Sequence, residues 1–224
     1  MLKDNLALIR ERINKAVSRR NTVPENVILV AVTKTVSPRV MNEAWQLGIN
    51  DFGENRVQDA LPKIELLPSK INWHFIGHLQ TNKVRQVLPV FKLIHSLDSL
   101  KLAGVLQKEA EKNNAVANVL LQVNIGGEKN KYGFRWEEAQ DALVELTKLN
   151  YLKVLGLMGI APYVEDPEEV RPYFRRLYSL FKEVNLPGIE MKYLSMGMSN
   201  DFEVALEEGA NIIRVGTSLF GSRS

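Results

Sequence analysis

The stretch VILVAVTKTVSPRVMNEAWQLG, residues 27–48, contains the unit on which the predicted fold depends. Its first part, VILVAVT, is a short apolar run, and its last part, PRVMNEAWQLG, has the apolar spacing of a helix. A strand that is apolar on both faces and is followed by an amphipathic helix is typical of a parallel sheet covered by helices. The unit recurs along the chain: we find eight strand candidates, and each of the first seven is followed by a helical segment.

Eight such units predict an α/β fold of one specific kind, a single (β/α)8 TIM barrel. The 224 residues suit one domain over residues 1–224, because such barrels have about 250 residues. A doubly wound open sheet would also alternate, but it normally has fewer strands, and no Gly-rich dinucleotide fingerprint follows the first strand here. An extra helix predicted over residues 3–20 is expected to cover an end or a side of the barrel.

The composition narrows the class of protein. The net charge is only +3, with scattered basic residues, so no nucleic-acid partner is implied. The chain has no cysteine, which excludes disulfides, thiolate metal ligands and thiol nucleophiles. The charged amphipathic N-terminus does not resemble a signal peptide, and no apolar run is long enough for a membrane span. We therefore expect a cytoplasmic globular protein without a membrane partner.

Lys34 ends the first apolar run and is the first candidate for chemistry. In these barrels the chemistry lies at the carboxyl ends of the strands, where this lysine is expected. One interpretation is structural: the aliphatic stem lies on apolar surface and the ammonium reaches water. The other is a Schiff-base amine, because desolvation of a partly buried lysine favours the neutral nucleophile that a carbonyl requires. One lysine leaves both interpretations open.

Two loops predict an anion site. The loops after strands 7 and 8, SMGMSNDFEVA and RVGTSLFG, combine glycines such as Gly216 with the hydroxyls of Ser199 and Thr217. Barrels of this kind often bind phosphate there. A capping box of Asn200 and Glu203 explains the first loop without a ligand, and an ordinary turn explains the second. We call the anion site formed by these two loops the cup. Since strand 8 pairs with strand 1 in a closed barrel, a phosphorylated aldehyde could reach from the cup to Lys34.

Other polar residues leave two interpretations each. Arg214 lies in an apolar strand and needs a partner, either a carboxylate or a ligand atom such as a pyridine nitrogen. Asn55 could touch a ligand or cap the next helix. His74 and His78 lack carboxylates at metal spacing, and His95 belongs to no recognisable triad, so we expect packing or hydrogen-bonding roles and no metal.

Six stretches, in order and over essentially the whole chain, resemble the pyridoxal phosphate homeostasis protein family: AVTKT, FGENRVQ, WHFIGHLQTNK, GLMGIAP, LSMGMSND and IIRVGTSLFG. The resemblance implies a fold-type III barrel like the N-terminal domain of alanine racemase, with pyridoxal 5′-phosphate (PLP) as an aldimine on Lys34. It also implies that Ser199, Gly216 and Thr217 contact the phosphate of PLP. Arg214 is implied to contact the pyridine nitrogen, and Asn55 the side of the ring.

The same resemblance implies a role in PLP homeostasis, as a non-catalytic carrier or buffer that affects amino-acid metabolism and serves PLP-dependent apo-enzymes. Racemases of this fold carry a second domain with an opposing tyrosine acid, and the sequence matches only the first domain, so we expect a monomer with weak turnover or none. One alternative is a racemase-like PLP enzyme that uses Tyr132 or His74 as the acid. Another is a barrel enzyme that acts on a phosphorylated metabolite without PLP.

Overall fold

The computed structural model describes residues 1–20, 27–128 and 130–221. Eight parallel strands form a closed barrel in chain order, and the last strand pairs with the first. The predicted (β/α)8 barrel is confirmed, and the open-sheet alternative is wrong. The strands are β1 (Ile28–Val32), β2 (Asp51–Glu54), β3 (Asn72–Phe75), β4 (Leu93–Leu97), β5 (Ala117–Val123), β6 (Leu152–Gly159), β7 (Tyr193–Ser195) and β8 (Ile212–Val215).

Helices alternate with the strands as the apolar spacing predicts. Pro38 begins the helix after β1, where its missing N–H costs nothing, and the Ser99 side chain caps the helix after β4. No helix in the described ranges is long and apolar enough to cross a membrane. The helices are α1 (Leu2–Ser18), α2 (Pro38–Gln46), α3 (Val57–Leu66), α4 (Val84–Val87), α5 (Leu100–Lys112), α6 (Trp136–Leu146), α7 (Arg171–Glu183), α8 (Phe202–Glu207) and α9 (Thr217–Phe220).

The core has two layers. Outward-facing strand residues such as Phe52 and Trp73 pack under the helices in the larger apolar cluster. Inside the barrel a smaller cluster fills the space, and it includes Val30, Leu120 and Met158. Because successive strand residues point to opposite faces, each strand contributes to both layers, which explains why runs such as ILVAV of β1 are apolar on both faces.

The extra helix is present as α1, and it packs beside the last part of the barrel, against α8 and α9. Arg12 pairs with Glu203 of α8 at 2.6 Å, and the Asn5 side chain donates to the Leu219 carbonyl of α9 at 3.0 Å. The helix thus fixes the two segments that follow β7 and β8. We expected one domain over residues 1–224, of which residues 21–26, 129 and 222–224 lie outside the described ranges.

Candidate functional site

A cavity of about 310 Å³ lies at the carboxyl ends of β1, β7 and β8. It exists because β8 pairs with β1, which brings the ends of the first and last strands together. Five of the six site residues predicted from the sequence line this one cavity, together with apolar side chains such as Tyr163 and Phe220. The five are Lys34, Ser199, Arg214, Gly216 and Thr217.

Lys34 lies on the cavity rim, in a turn that follows β1. The turn is closed by a hydrogen bond from the Val36 N–H to the Thr33 carbonyl at 3.0 Å. The Lys34 side chain is exposed, as in the first of the two interpretations that the sequence left open, and the partial burial assumed in the second is not found. Within the described part of the chain, its ammonium has no hydrogen-bond or ion-pair partner. The amine therefore lies at the cavity, and no group in residues 1–20, 27–128 or 130–221 holds it.

Ser199 is the centre of the cup formed by the loops after β7 and β8. Its Oγ accepts hydrogen bonds from the backbone N–H of Gly216 at 3.3 Å and of Ser218 at 3.4 Å. The Thr217 hydroxyl is also 3.3 Å from the same oxygen. Hydroxyl and backbone N–H groups therefore converge from two loops on one point of the cavity wall. Such a convergence of donors is the chemistry that a phosphate oxygen requires.

The capping box of Asn200 and Glu203, considered as the alternative for the first of these loops, is not formed. The helix α8 begins after Asp201, and the Asp201 carboxylate accepts from the Met198 N–H at 2.5 Å. Asn200 instead donates to the Val164 carbonyl at 3.1 Å, while Glu203 is paired with α1. The turn between β7 and Ser199 requires Gly197, because its φ of +90° favours glycine. A Cβ added at this position would lie 2.6 Å from the Cβ of Ala205.

Arg214 is buried on β8, with only 4% of its surface exposed, and it borders the cavity. Its guanidinium donates to the Ser195 hydroxyl and, at 2.9 Å, to the Gly159 carbonyl. Burial lowers the pKa of Arg214 to about 10, and the charge of Asp201 opposes that shift. The carboxylate ion pair considered from the sequence is not found between described residues. At neutral pH this site therefore contains a buried cation with N–H donors that those two acceptors do not use.

Asn55 does not join the other five residues. It lines a neighbouring cavity of about 570 Å³, with Gly77 and His78. Its Oδ1 is buried and has no hydrogen-bond partner among the residues described. The two side chains offered as a racemase acid lie elsewhere: Tyr132 stacks on His78 with ring centroids 3.7 Å apart, and His74 is buried inside the barrel.

Behind the Lys34 turn lies a buried ion pair that the sequence analysis did not identify. Lys63 of α3 donates to the Glu54 carboxylate at 2.8 Å and to the Thr33 carbonyl at 2.7 Å. The Thr33 hydroxyl donates to the same Glu54 oxygen at 2.6 Å. These bonds fix the residue that precedes Lys34. The only signal for this ion pair in the sequence was the position of Lys63 on the face of α3 that is turned toward the strands. Many lysines on the protein surface have the same spacing, so this position does not identify a buried pair.

Two histidines that the sequence showed as isolated are in contact inside the barrel. His74 Nδ1 lies 2.9 Å from His95 Nε2, and His95 Nδ1 lies 2.9 Å from the Ser195 hydroxyl. Burial lowers the pKa of His95 well below its ordinary value, and the electrostatic effects of the neighbouring His74 and Arg214 lower it further. Over the described ranges, no group of three histidine or carboxylate side chains has the arrangement of a metal site. The expected hydrogen-bonding role of His74 is what the geometry shows.

Comparisons with known proteins give a consistent result. Residues 4–224 match the family model described as "Alanine racemase, N-terminal domain". The pyridoxal phosphate homeostasis protein of Aquifex aeolicus is 48% identical over 98% of this chain and 97% of its own length. The solved structure of PipY from Synechococcus elongatus without PLP superposes with a TM-score of 0.88, at 35% identity, over 99% of this chain and 100% of that one. The PipY structure with PLP bound gives a TM-score of 0.83, at 33% identity and the same coverage.

Proposed function

The chain belongs to the pyridoxal phosphate homeostasis protein family, and we propose that it binds PLP in the Lys34 cavity. The observation that carries the proposal is the convergence of an amine, a buried cation and a cup of hydroxyl and N–H donors on one cavity of about 310 Å³. PLP carries an aldehyde, a pyridine nitrogen that accepts hydrogen bonds, and a phosphate. Each of these groups has a chemically matched partner in the cavity.

The phosphate is assigned to Ser199, Gly216 and Thr217. The Gly216 N–H and the Thr217 hydroxyl lie 3.3 Å from Ser199 Oγ, and the neighbouring Ser218 N–H lies 3.4 Å from it. A phosphate oxygen is a stronger acceptor than a serine hydroxyl, because its hydrogen bonds are charge-assisted. We therefore propose that the N–H groups of this cup bind the phosphate in preference to the hydroxyl that they bond here.

The pyridine nitrogen is assigned to Arg214, and the side of the ring to Asn55. The Arg214 guanidinium has donors beyond the two used by the Ser195 hydroxyl and the Gly159 carbonyl. A guanidinium carries no acceptor, so it can bind the ring nitrogen only when that nitrogen is unprotonated. An unprotonated pyridine is a poorer sink for electrons, which suits a carrier better than an enzyme. Asn55 lines the neighbouring cavity, and its Oδ1, buried without a partner among the described residues, is the atom proposed to face the side of the ring.

Lys34 is assigned the covalent bond. When PLP is bound, its aldehyde supplies an electrophilic carbon next to the amine. We propose that Lys34 Nζ forms a carbon–nitrogen double bond with this carbon and that the aldehyde oxygen leaves as water, which gives a Schiff base. The exposed position of Lys34 on the rim lets the side chain reach the cavity without moving the buried residues behind it.

The proposed role is PLP homeostasis, as a non-catalytic carrier or buffer. Relatives that are 36 to 48% identical over nearly their full length carry the name pyridoxal phosphate homeostasis protein. We also propose that the protein works in the cytoplasm as a monomer with a single domain over residues 1–224, and that it exchanges PLP with apo-enzymes. Turnover assays with D- and L-amino acids separate the carrier from a racemase-like enzyme, since a carrier gives no more turnover than free PLP.

Borohydride reduction followed by peptide mass spectrometry tests the covalent site. The protein loaded with PLP should absorb near the edge of the visible range, lose that band on reduction, and yield one pyridoxyl adduct, on Lys34. Lys34→Ala should give neither the band nor the adduct. Lys182→Ala, which removes an exposed lysine of α7, should behave as the parent does. An adduct at another lysine, or a colourless protein that binds sugar phosphates and ignores PLP, would reject the proposal.

A further inference from the structure

A line of hydrogen bonds crosses the interior of the barrel and ends on Arg214. Arg214 of β8 donates to the Ser195 hydroxyl of β7, which lies 2.9 Å from His95 Nδ1 of β4. His95 Nε2 lies 2.9 Å from His74 Nδ1 of β3, and His74 Nε2 lies 2.9 Å from the Asp51 carboxylate of β2. Since β4 and β7 are not neighbours in the sheet, the contact between His95 and Ser195 passes through the barrel core.

When both imidazoles are neutral, the carboxylate end of the line fixes the direction of every hydrogen bond in it. Arg214 can only donate, and the carboxylate of Asp51 can only accept. With neutral imidazoles, His74 must therefore carry its proton on Nε2 and accept at Nδ1. His95 must likewise carry its proton on Nε2 and accept at Nδ1, so the Ser195 O–H donates to His95. This leaves the lone pairs of Ser195 Oγ for the Arg214 N–H.

The line is surrounded by apolar residues. His95 and Ser195 are fully buried, and the barrel interior around them includes Val30 and Leu120. Buried polar groups cost free energy unless all of their hydrogen bonds are made. Apolar side chains at these positions would fill the core without that cost. The far end is partly exposed: Asp51 also accepts from the Asn72 side chain at 3.1 Å. The near end is a cation that borders the ligand cavity.

We propose that Asp51, His74, His95 and Ser195 are positioning residues for Arg214. By accepting from one edge of the guanidinium, Ser195 turns its remaining donors toward the cavity, and the residues behind Ser195 keep the serine in the accepting orientation. The inference rests on the proposed function in one respect, namely that the acceptor in the cavity is the pyridine nitrogen of PLP. It adds that recognition of this nitrogen depends on a carboxylate at the opposite end of the barrel.

Side-chain NMR of the two histidines tests the direction of the line without any ligand. In ¹⁵N-labelled protein at pH 7, long-range ¹H–¹⁵N correlations should show that His74 and His95 each carry a proton on Nε2 and none on Nδ1. In Asp51→Ala the tautomer of His74 should become mixed, because its carboxylate acceptor is lost. Asp51→Asn should retain the parental tautomer, because its amide oxygen still accepts. A parental protein with either histidine protonated on Nδ1 would overturn the proposal, whether or not PLP binds.

A ligand pair tests the positioning itself. Dissociation constants are measured for PLP and for its deaza analogue, in which C–H replaces the ring nitrogen. The parent should favour PLP by about tenfold or more, as expected for one hydrogen bond from a charged donor. This preference should be nearly lost in Ser195→Ala, reduced at least about threefold in Asp51→Ala, and retained in Asp51→Asn. General damage to the fold would weaken both ligands equally and leave their ratio unchanged.

The outcomes separate the two proposals. A parent that binds neither ligand contradicts the proposed function. The NMR experiment then decides by itself whether the hydrogen bonds from Asp51 to Arg214 have the proposed direction. A parent that prefers PLP, together with an Asp51→Ala variant of the same preference, overturns the positioning role of the line, whatever Ser195→Ala does. A parent that binds both ligands equally also overturns it, because Arg214 then makes no contact that depends on the ring nitrogen.

Discussion

Two lysines near the end of β1 lie in opposite environments. Lys63 is only 13% exposed, and its ammonium is bonded to the buried Glu54 carboxylate and to the Thr33 carbonyl. Lys34, one residue after Thr33, is exposed on the cavity rim, and no described residue bonds its ammonium. The first lysine is part of the fold, while the second is available to a ligand.

The difference extends to the polar groups around each lysine. Interior polar groups, such as His74 and Ser195, mostly bond to other parts of the protein. Those on the rim, such as Ser199 and Thr217, share weak bonds of 3.3 Å or longer with one another. Substitutions of interior groups should therefore act mainly on stability, apart from those in the hydrogen-bonded line behind Arg214, and substitutions on the rim should act mainly on binding.

The largest expected effect on stability comes from Lys63. Lys63→Met leaves the Glu54 carboxylate buried without its cation, and breaking a buried pair in this way costs about 3–5 kcal/mol. Lys34→Met should change the free energy of unfolding by less than about 0.5 kcal/mol, because the side chain is exposed. Urea unfolding measures both, and an equal loss in the two variants would contradict the comparison.

A double variant is the control for that measurement. In Glu54→Gln/Lys63→Met the buried charge is removed with its partner, and most of the lost stability should return, because replacing both members of a buried pair is often neutral. Failure to recover would show that shape, rather than charge, makes Lys63 necessary.

The next effect concerns binding at the cup. Ser199→Ala removes the hydroxyl on which the two loops converge, and loss of one hydrogen bond to a charged ligand costs about 1.5–3 kcal/mol. Binding of inorganic phosphate and of PLP should therefore weaken by about ten- to a hundredfold, with little change in unfolding. Calorimetry measures both ligands, and Ser179→Ala, on the exposed face of α7, is the matched control. Parental affinity in Ser199→Ala would remove the serine from the phosphate assignment.

The smallest effect is a dependence of stability on pH that comes from the interior. The pKa of His95 is held well below its ordinary value of 6.5 by burial and by the neighbouring His74 and Arg214. Between pH 6.5 and the lower folded pKa, the unfolded chain binds a proton at His95 that the folded chain does not bind. Stability is therefore fully present above pH 6.5 and falls by about 1.4 kcal/mol per pH unit below it.

Unfolding of the parent and of His95→Gln at pH 7.5 and at pH 5.5 measures this contribution. The variant, which has no proton to bind at this position, should lose less stability than the parent as the pH falls. An equal loss in the two proteins would show that His95 does not contribute to the dependence.

Much of the fold follows from local pattern. The strand predicted over residues 27–33 is observed at Ile28–Val32, because a short apolar run between turns has few other ways to bury both faces. Element length was less predictable. The run of residues 191–197 contains a strand of only three residues, Tyr193–Ser195, because β7 forms only a short pairing with β8. The length of a strand depends on how many residues pair with the neighbouring strand, and the residues of the strand alone do not show this.

The site was predictable in position and less so in environment. Strand ends meet at one end of a parallel barrel, so Lys34, Ser199 and Thr217 could be placed together from chain order. The exposure of Lys34 depends on the turn that follows β1, and the sequence alone left exposure and partial burial both open. The contact between His74 and His95 depends on register across two strands, which two separate histidines in a sequence do not reveal.

The pairing of β8 with β1 is a seam that joins parts of the chain distant in sequence. A ligand bound as proposed, by Lys34 after β1 and by Thr217 after β8, would connect the two sides of this strand pairing. At about 100 times its dissociation constant, such a ligand adds about 2.7 kcal/mol to the stability of the closed form. The form that holds PLP as proposed is therefore expected to unfold less readily and to resist proteases better than the empty form.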